Sequence, residues 1–239
     1  MVKKNILVLG GSSDIGISLI TDLLLKNHNV YAHYSANPFK LKKIKKKFKN
    51  LNIIKCDFRS YDLVKQKKLF SIFKKIHFHG VVNLVGYIDN LSLEKSNIKT
   101  LNRSLNINAL IPIIIEREIV KNMKKNRYGR ILNCSSIGVK FGGGLNSYSY
   151  TIAKHCLEFI PNVYKVWAKN NILINNLRIG VTNTKIHSRM KKTLKLKERI
   201  KLIPISRIAK PSEISSYINF LILENTYITG KTLTISGGE

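Results

Sequence analysis

The sequence predicts an α/β chain: a doubly wound parallel sheet of about seven strands with helices on both faces. Three observations lead there. Short apolar runs alternate with longer amphipathic segments, a glycine turn follows the first run directly, and no linker or internal repeat divides the 239 residues. Such alternation implies parallel pairing through right-handed crossovers, and ligands of such sheets bind beyond the carboxyl ends of the strands.

Strands are expected at Asn5–Leu9, Val30–Tyr34, Asn52–Lys55, Gly80–Val85, Arg130–Cys134, Ile172–Leu177 and Thr232–Ile235. The first run follows lysines as a leader peptide would, but it is short and meets Gly10 and Gly11 instead of a cleavage site, so it reads as a strand. The longest apolar stretch, around Ala109 to Ile115, is far too short to span a bilayer, so no membrane partner is expected. Pro112 and Pro161 fall inside otherwise helical stretches and predict kinks.

Lys and Arg number 42 against 13 Asp and Glu, a net charge of +29. That excess raises nucleic-acid binding as a function. Lysine, asparagine and isoleucine are abundant together, however, as AT-rich codons would make them, and no nucleic-acid motif accompanies the charge, so such a partner is not expected. The 3 cysteines, Cys56, Cys134 and Cys156, are odd in number and lack CxxC spacing, which argues against a disulfide framework or a zinc site and for a reducing cytoplasm.

Two segments carry chemistry. GGSSDIG, Gly10 to Gly16, sits between the first strand and an amphipathic helix, where glycine lets the backbone approach a pyrophosphate and the helix offers free N–H groups and its positive dipole end. In SYSYTIAK, Tyr150 and Lys154 are four apart and share one helix face. A free phenol titrates near ~10, so acid–base work near neutrality needs a stabilised phenolate. A neighbouring ammonium at about 4 Å supplies roughly 1 kcal/mol in water but roughly 4 kcal/mol at an effective dielectric of about 20, so the pair must be shielded from solvent. Ser135 and Ser136 stand at the carboxyl end of a strand, facing the same region. Each feature also has a plain counterpart: a strand-to-helix turn, a Tyr/Lys pair on an ordinary amphipathic helix, turn-forming serines.

Taken together and in order, these segments resemble the short-chain dehydrogenase/reductase family, with a single Rossmann-fold domain over 1–239 and a substrate lid around 184–206. GGSSDIG is similar to its GxxxGxG turn, with Asp14 at the middle glycine; Gly10, Ser12, Ser13, Ile15 and Gly16 are then implied at the cofactor, and Asp14 is expected to turn away from it and cap the helix. KCDF places Asp57 and Phe58 at the adenine, NLVG places Asn83 as a strand brace and Gly86 at the ribose, and RIGVTNT places Gly180, Val181 and Thr184 at the nicotinamide. The resemblance makes Asn108, Ser136, Tyr150 and Lys154 catalytic: Tyr150 as acid/base, Lys154 as its activator, Ser136 on the substrate oxygen, Asn108 holding a water against Lys154. His155, His187 and Cys134 are read as spectators.

The implied activity is hydride transfer between NAD(P) and a carbonyl or secondary alcohol. HYSANP has no acidic residue to hold ribose hydroxyls, and Lys40, Lys42 and Lys43 follow, so NADP is expected over NAD. Lys185, Arg189, Lys191, Lys192, Lys195, Lys197, Arg199 and Lys201 crowd the lid, which points to an anionic substrate. A 3-oxoacyl carrier is one option and a sugar or nucleotide-sugar the preferred one. A rival of another class is a non-catalytic NAD(P)-sensing or nucleic-acid-binding regulator. Family members commonly form tetramers or dimers through the helices matching Leu101 to Met123 and Ser149 to Ala168, so a homotetramer or dimer is expected.

Overall fold

The structure, a computed structural model, describes residues 2–59, 71–185 and 194–239. Its strands are β1 (Asn5–Leu9), β2 (Asn29–Tyr34), β3 (Leu51–Lys55), β4 (Gly80–Asn83), β5 (Gly129–Ser136), β6 (Ile172–Ile179) and β7 (Lys231–Ile235). They form one parallel sheet in the order β3-β2-β1-β4-β5-β6-β7. The order reverses between β1 and β4, and their carboxyl ends open the crevice where ligands of such sheets bind.

Burial on both faces explains the continuous apolar runs. Ile6 and Val8 pack with α1 (Asp14–Leu25) and the last helix, Pro211–Leu223, while Leu7 and Leu9 face the opposite layer with Ile111, Ile115 and Ile119. Ile6, Leu7, Val8 and Leu9 are all fully buried. Cutting Leu7 back to alanine would cost about 2–5 kcal/mol. In α1 the buried stripe is Gly16, Leu19, Ile20, Leu23 and Leu24, the spacing of one helix face.

The strands differ from the expected spans at the two places nearest the cleft. β4 stops at Asn83, because the Asn83 carboxamide accepts the Val85 N–H at 3.1 Å and folds the chain out of the sheet. β5 runs on to Ser136, continuously paired with β6 up to Ile179.

The two prolines act differently from simple kinks. After α2 (Phe39–Lys45), the segment α3 (Ile98–Leu105), a π turn (Asn106–Leu110) and α4 (Ile111–Asn126) form one continuous run, with Pro112 just after the π turn. The widened turn accommodates the proline, which has no N–H to give the carbonyl four residues back, that of Asn108. Pro161 breaks its helix outright, separating α5 (Tyr148–Leu157) from α6 (Tyr164–Lys169). The expected lid begins and ends on a short bridge: Thr182 pairs with Ala209, just before α8 (Pro211–Leu223) and beyond α7 (Leu194–Lys201). His187, Arg189, Lys191 and Lys192 lie outside the described residues, as does the Lys195 side chain.

Candidate active site

Strand register assembles the site. Leu9 pairs with Asn83, Asn83 with Asn133, and Ser136 with Ile179, so β1, β4, β5 and β6 finish together. A cleft of roughly 490 Å3 opens there, running from Gly10 and Ser12 to Tyr150, Lys154 and Gly180.

At one end, Tyr150 and Lys154 stand a turn apart on α5, with Lys154 Nζ 5.8 Å from the centre of the Tyr150 ring. Lys154 is 2% exposed, and its Nζ donates to the carbonyls of Val85 at 2.8 Å and Cys134 at 2.6 Å. Burial lowers Lys154 to about 8. Burial also pushes the Tyr150 phenol up to about 12, opposed by a hydrogen bond with the Ser136 side chain. The shielding that the pair needs is therefore present, and near neutrality the resting site holds a protonated phenol beside an ammonium. Both serines line the cleft: Ser135 donates toward the Lys154 carbonyl at 3.5 Å, and Ser136 accepts the Gly138 N–H at 3.2 Å.

Neighbouring polar contacts hold these groups in place. Ser149, fully buried, donates to Asp89 at 2.5 Å, fixing the start of α5 against the segment beyond β4. Arg178 clamps Glu158 through two contacts of 2.8 and 2.6 Å, fixing its end on β6. Asn108 is fully buried; its Oδ1 accepts the Tyr87 N–H at 2.8 Å and its Nδ2 donates to Tyr87 and Ser104. That side chain braces the segment after β4; its hydrogen bonds go to Tyr87 and Ser104, and those of Lys154 Nζ to Val85 and Cys134. Asn83 donates to Asn133 at 3.2 Å, and Asn133 to the buried Glu116 at 3.2 Å, tying β4, β5 and α4 together.

At the other end the glycine turn is tight. Gly10 has φ +73°, and a Cβ there would sit 2.7 Å from the Leu84 carbonyl oxygen; one on Gly16 would meet the Gly11 carbonyl at the same distance. Side chains are excluded at both. Ser13, not Asp14 as expected, caps α1: its Oγ accepts the Gly16 N–H at 3.1 Å. Ser13 has the extended φ/ψ of a cap position, whereas Asp14 is already the first helical residue and its carboxylate faces the cleft mouth.

His33 was not singled out from the sequence. It is 3% exposed and lines the cleft; its Nδ1 accepts the Gly10 N–H at 3.2 Å, which leaves Nε2–H to donate to the Cys56 carbonyl at 2.8 Å. Its ring stacks on Phe58 with centroids 4.4 Å apart. Burial lowers it to about 4, so the neutral ring bridges the glycine turn and the turn bearing Asp57. Arg59, also missed, lines the cleft and grips Asp57 in a two-pronged pair at 2.6 and 3.0 Å, which holds that carboxyl at about 2.

Of the expected cofactor residues, Gly10, Ser12, Ser13, Ile15, Asp57, Phe58, Gly86, Tyr150, Lys154, Gly180 and Thr184 line the cleft. Gly16 and Asn83 shape it from behind. Val181 does not line it: its side chain faces a separate cavity of about 190 Å3 with Ile205 and Ile214, because successive residues beyond β6 point to opposite sides, and Thr182 takes the cleft position.

The glycine cradle at a helix N-terminus, the polar turn at Asp57, the half-buried Ser136 and Tyr150 and the buried Lys154 fit a dinucleotide running along the cleft, its reactive ring at the tyrosine end. They define a Rossmann-type oxidoreductase. A family model described as enoyl-(acyl carrier protein) reductase matches residues 12–239. The 3-oxoacyl-[acyl-carrier-protein] reductase FabG of Rickettsia prowazekii is 30% identical over 245 residues, covering 100% of this chain and 97% of its own. The uncharacterized oxidoreductase YmfI of Bacillus subtilis is 26% identical over 253 residues, 99% of each chain. Among solved structures, a 4-hydroxyisoleucine dehydrogenase complexed with NADH superposes with TM-score 0.88 at 23% identity, covering 99% of this chain and 98% of that one. The chain belongs to the short-chain dehydrogenase/reductase family and is an NAD(P)-dependent oxidoreductase.

Proposed function

We propose that this protein uses NADPH in preference to NADH to reduce the ketone of a small anionic substrate to a secondary alcohol. The observation that carries this reading is the geometry of the site: Ser136, Tyr150 and Lys154 line one end of the cleft together, with Lys154 buried and its Nζ 5.8 Å from the centre of the Tyr150 ring. When bound, the nicotinamide supplies hydride to the carbonyl carbon. Ser136 donates to the carbonyl oxygen as charge grows there, and Tyr150 delivers its proton to that oxygen. Lys154 offsets the phenolate left behind. Ser35, Ala36 and Arg59 form the adenosine end, and the two acidic side chains of the cleft, Asp57 and Asp14, are engaged by Arg59 and Lys40 and so are not free to hold ribose hydroxyls. This supports the NADP preference.

A second reading is favoured by the FabG likeness: the ketone is a 3-oxoacyl chain on an acidic carrier, met by Lys197 and Lys201, both exposed in α7. The non-catalytic regulator loses its ground, since a cleft that gathers this Ser, Tyr and buried Lys together is built for turnover. Further parts of the proposal are a cytoplasmic location, consistent with three free thiols, a single domain closed by the 184–206 lid, and a homo-oligomer through α3 to α6, where Leu110 and Ile113 are 41% and 36% exposed. A panel of ketones, with and without carboxylate, phosphate or carrier, followed at the nicotinamide absorbance tests the substrate. Neutral ketones reduced as efficiently as their anionic analogues, independent of salt, would overturn the anionic assignment.

A further inference from the structure

Asp14 stands where the family pattern has a glycine, and its carboxylate is engaged on both oxygens. Oδ1 accepts from Lys40 Nζ at 2.7 Å and Oδ2 from the Lys185 backbone N–H at 2.8 Å. The two donors come from α2 and from the start of the lid segment, 26 and 171 residues away, so one side chain ties three parts of the chain across the cleft mouth. Burial alone would raise this carboxyl, but the two donors bring it below its ordinary value, so it is ionised.

The position matters because of what the helix end offers. The first-turn N–H groups of α1 have no helical acceptors, and Ser13 satisfies only that of Gly16, leaving those of Asp14 and Ile15 for a phosphate. A fixed carboxylate in the same turn already occupies part of the positive field of the helix end and repels an incoming anion.

We propose that Asp14 is a built-in competitor of the dinucleotide phosphates, a clasp that weakens cofactor binding and holds the Lys185 segment across the phosphate mouth, with Lys40 masking its charge. This rests on the NAD(P) reading above. Asp14 is thus a residue that tunes cofactor affinity; the chemistry stays with Tyr150 and its neighbours.

Fluorescence titration of the full chain with NADPH and NADH tests it. Asp14→Gly should bind NADPH on the order of ten-fold tighter. Asp14→Asn should keep most of that gain, since it loses the charge but retains a carbonyl for the Lys185 N–H. Lys40→Ala unmasks the carboxylate, so it should weaken NADH, which has no 2′-phosphate for Lys40 to meet. In the Asp14→Gly background the same change should leave NADH binding unaltered. The clasp is overturned if folded Asp14→Gly and Asp14→Asn proteins bind NADPH no more tightly than the native chain. A native chain that binds neither dinucleotide overturns the cofactor reading itself, and the clasp with it.

Discussion

The two ends of the cleft are held by different physics. At the tyrosine end, Lys154 is almost wholly buried and fixed by two backbone carbonyls, and the partners of Tyr150 lie on β5 and α5. At the other end, beside the glycine turn, charged groups stand near water: the Arg59 and Asp57 side chains are 57% and 30% exposed, and those of Lys40 and Asp14 are 45% and 18% exposed. Charges removed from water act strongly and depend on protonation state, whereas exposed pairs are screened and individually weak. Substitutions at the buried end should therefore abolish turnover, and those at the open end should retune affinity.

The largest effect is expected at Tyr150. Tyr150→Phe removes only the hydroxyl, so cofactor titration should be nearly unchanged while turnover falls by about 10² or more. Ser136→Ala should lower turnover without displacing cofactor. Lys154→Ala should impair both. A folded Tyr150→Phe protein with near-native turnover would remove Tyr150 from the chemistry. The pH profile sharpens the assignment. Burial lowers Lys154, so its ammonium is lost as pH rises through about 8 while the phenol keeps its proton to about 12. Reduction should thus decline above about 8, and a rate flat to the phenol's own range would show that the Lys154 charge is not required.

This contrast also explains what was legible in the sequence. Tyr150, Lys154, Ser136 and the Gly10 turn were readable because each needs a particular residue type at fixed spacing on one element. His33, Arg59 and the true place of Asp14 were not, because their roles arise only when separate elements meet. His33 looks like any residue in a strand until the Gly10 N–H and the Cys56 carbonyl arrive from either side. Pro112 predicted a kink; the π turn that absorbs it is a property of the whole α3 to α4 run. Val181 lines the second cavity and Thr182 the cleft, since beyond a strand end one residue decides which cavity a side chain faces.

A smaller effect, linking the two ends, is expected at His33. His33→Leu leaves the Gly10 N–H and the Cys56 carbonyl without partners, at about 1–3 kcal/mol each if they stay buried. The cofactor KM should rise several-fold with kcat little changed, and His33→Asn, which keeps an acceptor near Gly10, should recover part of it. The acid response has a definite sign. The folded-state value of His33 is lowered from 6.5 to about 4, so its contribution is complete above 6.5 and is lost as pH falls toward 4, up to about 3 kcal/mol. Glu116 acts oppositely: burial raises it from 4.5 to about 8, so its contribution is complete below 4.5 and is lost as pH rises toward 8. Denaturant unfolding should therefore be compared between native and variant across this range. His33→Asn should flatten the acid limb and Glu116→Gln the neutral limb. Parallel native and His33→Asn curves would mean the imidazole is not held neutral by the fold.

The smallest effect is expected at Arg59, where exposure limits every term. Its guanidinium is bound to Asp57 through paired contacts, yet it lines the cleft beside Ser35 and Ala36, where the resemblance puts the ribose of the adenosine half. A 2′-phosphate arriving there offers a dianion to a guanidinium already neutralised by one carboxylate, so the net attraction is that of a shared cation in water. Arg59→Ala should weaken NADPH only a few-fold and leave NADH nearly unchanged, and the difference should shrink as salt rises. Asp57→Asn makes the complementary case: it frees Arg59 and should favour NADPH over NADH more than the native chain does. If Arg59→Ala weakens the two cofactors equally, its role is to fold the Asp57 turn, and discrimination between them passes to Ser35 and the lysines of α2.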